Sequence, residues 1–590
     1  MAMAEARVPD AQVEAQLLQM PAHWRWLTPK RVMYIFSTCN LLNYLDREII
    51  PGAPLQFESF VHNTQGVDVT NESVYIGYFT SAFIASYAGA ILIIGNLVPK
   101  VNKDRTPFTL MGYGLAVWCV AVFLSGLAKL LNSFWLLLFA RALSGVGEAS
   151  FQVIAPPFID DYAPPGDKVL WLSIFFTAIP VGSALGYGFG SAVANSSLGW
   201  GWAFWIEGML MVPFMLLCFK LPYRLVMPGC DPPGGAKFTA TLPGTTDAAG
   251  ARSSQDGSHS ESSLADGGGD SPDPPRASLL DEARIVFSSR IFVMVALGYA
   301  AYTGVTMGVA TYGPTFLQGL QFFASETEAS FVFGAVLAAA GLLATPLGGA
   351  LTDRLAARNT REGASVAEQD RVRRSACLCL MASSMTLALV LVVAAVRSPS
   401  KGSFLGLLFL GEFFLFMPTA CITMATLSSV PAHVRPSAIA FQTLMIHVLG
   451  DVPTPIIVGL LKDSWAPNCS ACAACQDSVL AKAGKVPKDF PTACNIALIT
   501  KFCPDESQQM AALNPRCPED TAGMRNALTA TVLWLVWAVL AWGRALWLNG
   551  GLNGGLSRST GTMDAPLLGE EVEVDQMRSN GKGMEAPTAL

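Results

Sequence analysis

Runs of roughly 20 apolar residues, repeated along most of the chain, limit what this sequence can become. A run of that length crosses the hydrocarbon of a bilayer as one helix. In lipid, only helices and closed barrels satisfy their own backbone groups. Twelve such runs can be drawn, at about 32–52, 74–97, 107–129, 133–156, 169–193, 202–223, 291–313, 329–351, 375–397, 402–427, 437–461 and 525–547. Composition agrees: 52% of the 590 residues are hydrophobic and 14% charged, where soluble domains carry about 25% charged residues. The expected fold is an all-α membrane protein with twelve transmembrane helices.

The runs divide six and six around residues 224–290. That segment holds SSQDGSHSESSLADGGGDSPDPP, a composition unable to bury a core. The expected organisation is an N-terminal tail at 1–31, a six-helix bundle at 32–223, a disordered linker at 224–290, a second bundle at 291–547 and a disordered tail at 548–590. The second bundle includes a cysteine-rich loop at 462–524. Just before the seventh span, LLDEARIVFSSR reads as a short interfacial helix. The N-terminus is polar and of mixed charge, so no cleaved signal peptide is expected. A net charge of -6 with no basic patch argues against a nucleic-acid partner.

Lys and Arg orient the chain. Lys100, Lys103 and Arg105 follow the second span, and Arg354, Arg358, Arg361, Arg371, Arg373 and Arg374 follow the eighth. The loop at 53–73 has neither residue. The positive-inside rule then puts both termini and the linker in the cytoplasm. Three glycosylation sequons, at Asn71, Asn195 and Asn468, fall on the other side. So do Cys469, Cys472, Cys475, Cys494, Cys503 and Cys517, six of the 13 cysteines. The spacing CSACAAC could ligate a metal or cluster, but an oxidising compartment would pair these thiols. Disulfides are therefore expected, with connectivity open, and no metal or cofactor.

Charges inside the runs point to function. A central charge in a spanning helix costs about 2.5–3.5 kcal/mol even on insertion scales. The first span carries Asp46 and Arg47, with Asn40 and Asn43 on the same stripe. The fourth carries Glu148, seven residues after Arg141. The eleventh carries Thr443, His447 and Asp451 at i, i+4, i+8, followed by Pro453 and Pro455, which predict a kink. These three helices are expected to share one polar interior. Asn40, Asn43, Thr443, Tyr299 and Tyr302 are its candidate lining, although the tyrosines could equally pack. Arg141, near the end of its span, reads as a snorkelling residue. The alternative is that these charges are static interhelical glue.

Two six-span halves joined by a linker resemble the major facilitator superfamily. That superfamily's loop signature, G-x-x-x-D-R-x-x-x-R/K, is matched by Gly349, Asp353, Arg354 and Arg358 in GGALTDRLAARN. The corresponding first-half loop, GNLVPKVNKD, lacks the Asp-Arg pair. Within the superfamily, NLLNYLDREIIPGA, LSGVGEASFQVIAPPFIDDYAP and IHVLGDVPTPIIVG resemble the Spinster group, from the first span to the eleventh. The resemblance implies two pseudo-symmetric bundles and a lipid carrier for lysophospholipids or sphingoid lipids such as sphingosine-1-phosphate. It implies functional roles for Asp46, Arg47, Glu148 and His447.

The expected function is secondary active, proton-coupled transport by alternating access, with a lipid-like substrate, protons and the bilayer as partners and the monomer as the working unit. Asp46 would take the proton and thereby free Arg47 for an anionic headgroup. Other readings are a carrier for another small organic anion or a sugar, and a non-transporting receptor. No H-E-x-x-H or G-x-S-x-G string suggests an enzyme. In the tail, Asp564, Leu567 and Leu568 form an acidic dileucine-like string. An endosomal, lysosomal or vacuolar membrane is expected, with the plasma membrane as alternative.

Overall fold

The computed structural model describes residues 28–66, 71–97, 107–163, 168–220, 279–360, 365–431, 434–475 and 509–551. Most of the expected tails and linker, Lys100, Lys103, Arg105, Arg361, Cys494, Cys503, and the string at Asp564, Leu567 and Leu568 lie outside the described residues.

The first helix, α1 (Pro29–Gly52), starts where Thr28 caps the Arg31 amide and Pro29 occupies the first turn. A short helix, α2 (Pro54–Gln65), follows and ends at Gly66, whose φ of 61° lies in the left-handed region that favours glycine. Then come α3 (Glu72–Leu97), α4 (Pro107–Leu130), α5 (Phe134–Tyr162), α6 (Lys168–Ala194) and α7 (Gly201–Lys220). The short helix expected before the seventh span is α8 (Leu279–Ser288). The second half continues with α9 (Arg290–Gly319), α10 (Glu326–Asn359), α11 (Val366–Arg397), α12 (Lys401–Phe416) and α13 (Thr419–Leu427). It closes with α14 (Arg435–Ile446), α15 (Pro453–Trp465), α16 (Thr521–Leu533) and α17 (Leu535–Leu548).

Among the described residues, eleven spans, several made of two consecutive helices, are long and apolar enough to cross a membrane. The twelfth is α1, which has comparable length but carries Asp46, Arg47 and Glu48 in its interior. The expected order of twelve crossings in two sets of six is therefore present.

The α1–α6 contact shows how small residues set this packing. Gly182, Gly186 and Gly190 form an i, i+4, i+8 stripe on α6. A Cβ at these positions would lie 2.5 Å from the Leu41 carbonyl oxygen, 2.5 Å from that of Leu45 and 2.8 Å from Ile49 Cα. The backbones thus meet directly, as small-residue stripes permit in membranes. Gly186→Leu should force them apart at a cost of about 1–3 kcal/mol. A lowered thermal midpoint in detergent checks this; an unchanged midpoint would show that the contact is dispensable.

Three local features add to the expected all-α fold. First, β1 (Ala471–Cys475) and β2 (Gln509–Leu513) form an antiparallel hairpin within the cysteine-rich loop. It is stapled at its base by a disulfide between Cys469 and Cys517. Cys472 is also disulfide-bonded, with a partner outside the described side chains. Second, the loop at 53–73 contains α2, whose Leu55, Phe57, Phe60 and Val61 are buried. Third, the eleventh span is interrupted by a π-turn, His447–Asp451, ahead of Pro453. Prolines lack the amide that would continue an α ladder, so the preceding turn widens.

The end of the molecule bearing the hairpin is called the hairpin end below; the other, where α1 begins and α17 ends, is the terminal end.

Candidate transport site

The adjacent charges of α1 face different partners, because successive helical residues point about 100° apart. Asp46 turns into the first half and is fully buried. Arg141 Nη1 donates to both of its carboxylate oxygens at 2.8 Å, and Ser144 Oγ donates at 3.3 Å. Arg47 instead meets Glu148 of α5: Nη2 donates to Oε1 at 2.6 Å and Nε to Oε2 at 3.3 Å. Two guanidinium–carboxylate pairs thus lie side by side between α1 and α5, and Phe83 lies 5.0 Å from both guanidinium carbons.

Exposure separates the pairs. Asp46 and Arg141 side chains are 0% and 3% accessible, whereas Arg47 is 18% accessible beside a Glu148 at 0%. The Arg47 guanidinium also sits 4.6 Å from the Tyr44 ring centre and 5.0 Å from that of Tyr87. Arg141 does not snorkel. It is sealed in the bundle, which is possible only because Asp46 neutralises it. The expected exchange between Asp46 and Arg47 is also corrected: Arg47 is held by Glu148, and unpairing Asp46 would release Arg141.

In the second half, the π-turn keeps His447 and Asp451 within reach, with Nδ1 to Oδ2 at 2.8 Å. His447 does not join the paired guanidiniums directly. Its ring meets Tyr87 edge-on at 5.9 Å, and the same tyrosine carries Arg47 on its face. Tyr87 therefore bridges the charged groups of the two halves. Thr443 is half-buried on the turn before.

Other expected lining residues lie elsewhere. Asn40 is buried inside the first half, donating to the Phe175 carbonyl at 3.1 Å and accepting from Gln152 at 2.8 Å. Asn43 is also fully buried. Tyr302 packs against Trp542, with ring centres 6.2 Å apart, while Tyr299 beside it is half-buried. Asn40 thus spends its amide within the first half, so the stripe signal overstated the lining.

At the terminal end, Asp353 pairs with Arg373 at 3.2 Å, with both exposed, and Arg354 and Arg358 are exposed. Gly349 faces open space. Its neighbour Gly348 makes the close approach: a Cβ there would collide with the Met417 carbonyl oxygen.

The hairpin end holds a charged cluster absent from the expectations. Lys462 of α15 is 1% accessible and donates to Glu58 Oε1 of α2 at 2.9 Å and to Ser73 Oγ at 2.6 Å. The Ala471 amide, in the hairpin, donates to Glu58 Oε2 at 2.9 Å. Asp463 accepts from the Val74 amide at 3.1 Å. On the opposite flank, Glu326 accepts from the Leu55 amide and from Asn195 Nδ2, each at 2.7 Å. Every one of these bonds crosses between the halves, so this end is sealed. The Asn195 amide nitrogen that a glycan would need is engaged here, which argues against that sequon in this conformation. Asn71 is exposed and Asn468 half-buried.

The fold and these paired charges define a class. The family model described as Major Facilitator Superfamily matches residues 36–453, and the chain belongs to that superfamily. Within it the chain is a spinster-type transporter, a multi-pass membrane protein. It is 30% identical over 450 residues to the probable sphingolipid transporter spinster homolog 1 of Arabidopsis thaliana, covering 74% of this chain and 84% of the relative. It is 30% identical over 464 residues to human protein spinster homolog 1, covering 75% and 76%. Among solved structures, a bacterial homolog of the human lysosomal transporter Spinster, in an inward-facing and unoccupied conformation, superposes with a TM-score of 0.59. It is 19% identical and covers 88% of this chain and 98% of that one, which speaks to the fold alone.

Proposed function

We propose that the protein carries a lysolipid or sphingolipid with an anionic headgroup across its membrane by alternating access, driven by protons. The observation that carries this reading is Arg47. It is a partly accessible guanidinium ringed by Tyr44, Phe83 and Tyr87 and held by one fully buried carboxylate. Guanidinium matches phosphate in geometry, and an aromatic surround lowers the local dielectric that a headgroup would meet. Protonating Glu148 removes the competing anion and frees Arg47. Protonating Asp46 unpairs Arg141 and loosens α1 from α5. His447 and Asp451 feel the change through Tyr87. The names of the relatives support a sphingolipid-like substrate.

The two halves rock about this site near the midplane. With the disulfide-stapled hairpin facing an oxidising lumen and the termini facing the cytoplasm, the sealed conformation described above is the inward-facing one. The reading extends to an endolysosomal or vacuolar membrane and to a monomer.

Uptake of a fluorescent lysophospholipid into proteoliposomes, with and without a pH gradient, tests it. The wild type should show a higher rate with the gradient. Glu148→Gln and Asp46→Asn should each bring the ratio of the two rates to about one. Gradient-sensitive uptake in both variants equal to wild type would remove these carboxylates from the coupling. No uptake at all by the wild type would overturn the substrate class.

A further inference from the structure

Among the described residues, one buried carboxyl group has neither oxygen in a well-formed hydrogen bond and stands outside both ion pairs. It is Glu207 of α7, which is 1% accessible and whose carboxyl lies near the Asp46 backbone amide of α1. It lies on the inward face of α7 with Ala203, Phe204 and Met211, all fully buried. Phe204, one turn earlier, lies 5.9 Å beneath the Arg141 guanidinium. The charged groups near enough to act on Glu207 electrostatically are Asp46 from α1 and Arg141 and Glu148 from α5, and Glu207 acts in turn on the Cys119 thiol of α4. Tyr187 of α6 turns its hydroxyl away, to the Ala310 carbonyl at 2.7 Å.

Charge counting makes Glu207 informative. Asp46 and Arg141 cancel, as do Arg47 and Glu148. An ionised Glu207 would add one uncompensated negative charge in a dry interior, which proteins avoid by neutralising the group. Nothing about packing calls for a carboxyl there, since its neighbours on that face are apolar. Two carboxyls beside one guanidinium can, however, share a single proton, as paired acids do elsewhere.

We propose that Glu207 and Asp46 together hold one exchangeable proton, with Arg141 pairing whichever is ionised. In the conformation described, Glu207 is the acid and Asp46 the anion. The hop follows a movement that brings the two carboxyls into hydrogen-bond contact; the Glu207 O–H bond then breaks and an Asp46 O–H bond forms. Arg141 moves its hydrogen bonds from Asp46 to the Glu207 carboxylate, and the net charge of the site stays constant. Glu207 thereby becomes the inner stop on the proton route, and Asp46 the stop that governs α1. This inference rests on the proton-driven reading above and adds to it a residue and a sequence of steps.

The test has two independent readouts on the full-length protein. The first is the gradient ratio for fluorescent lysophospholipid uptake, which Glu207→Gln should bring to about one while Glu207→Asp keeps it above one. A Glu207→Gln ratio equal to wild type overturns the proposal. The second is infrared difference spectroscopy at neutral pH. The wild type should show a buried carboxylic acid C=O band that Glu207→Gln removes and Glu207→Asp shifts. A band unaffected by either substitution overturns the proposal. If the wild type itself shows no gradient response, the proton-driven reading fails, and the infrared band alone decides where the proton sits. Should Glu207→Gln fail to fold, Glu207→Asp carries both measurements.

Discussion

Replacing Lys462 by methionine is expected to open the hairpin end. Methionine keeps most of the volume but leaves Glu58 buried as a lone anion between α2, α15 and the hairpin. Removing one partner of a buried ion pair costs about 3–5 kcal/mol, because the other charge stays stranded. Glu58 recovers hydration only if the halves part, so the cost falls on the sealed conformation. At about 1.4 kcal/mol per decade, 3 kcal/mol shifts a conformational equilibrium more than a hundredfold. Spin labels at Asn63 on α2 and Ser464 on α15, both exposed, report the separation. A new long-distance population should dominate in Lys462→Met. It should shrink again in the double variant with Glu58→Gln, which keeps an acceptor for the Ala471 amide but removes the charge. An unchanged distance distribution in Lys462→Met would mean that the seal depends on its neutral hydrogen bonds.

Arg141→Met should be among the most damaging substitutions in the first half. It strands Asp46, fully buried with one hydroxyl partner, and should lower stability by about 3–5 kcal/mol. Coupling it with Asp46→Asn removes both charges, and the double variant should recover to within about 1–2 kcal/mol of wild type, since uncharged replacements of a buried pair are often near neutral. Chemical denaturation in detergent measures all three variants. A single variant as stable as wild type would show that Asp46 is already neutral. The recovered double variant should still lack a gradient response, separating the pair's part in folding from its part in transport.

The crossings were legible because hydropathy reports a helix's surroundings. Even α1 could be drawn, although its charges lower its apolar average. Partners were less legible. Asp46 and Arg47 are neighbours in sequence, and only the bundle decides that one meets Arg141 and the other Glu148. Arg141 stands eight residues past the start of its run, where a long side chain can reach an interface, so its burial was invisible without α1 in place. Glu207 satisfied the criterion that singled out Glu148, a lone acid in an apolar run, but lies early in its span, where charges are cheap. Lys462 and Asp463 sit where a span ordinarily ends in water. Their burial depends on α2 and the hairpin, elements that no periodicity announced. The π-turn at His447–Asp451 has the composition of an ordinary helix; the prolines after it signalled a disturbance but not its kind.

The hairpin belongs by chain connection to the second half, yet it rests on α2 of the first, with its Ala471 amide bonded to Glu58. Its base is covalently closed, so it moves as one piece with α15 and α16. It is therefore a handle outside the bilayer whose position differs between the two ends of the transport cycle. A nanobody gripping the hairpin and α2 together would clamp the carrier shut from outside the membrane, without entering the lipid path.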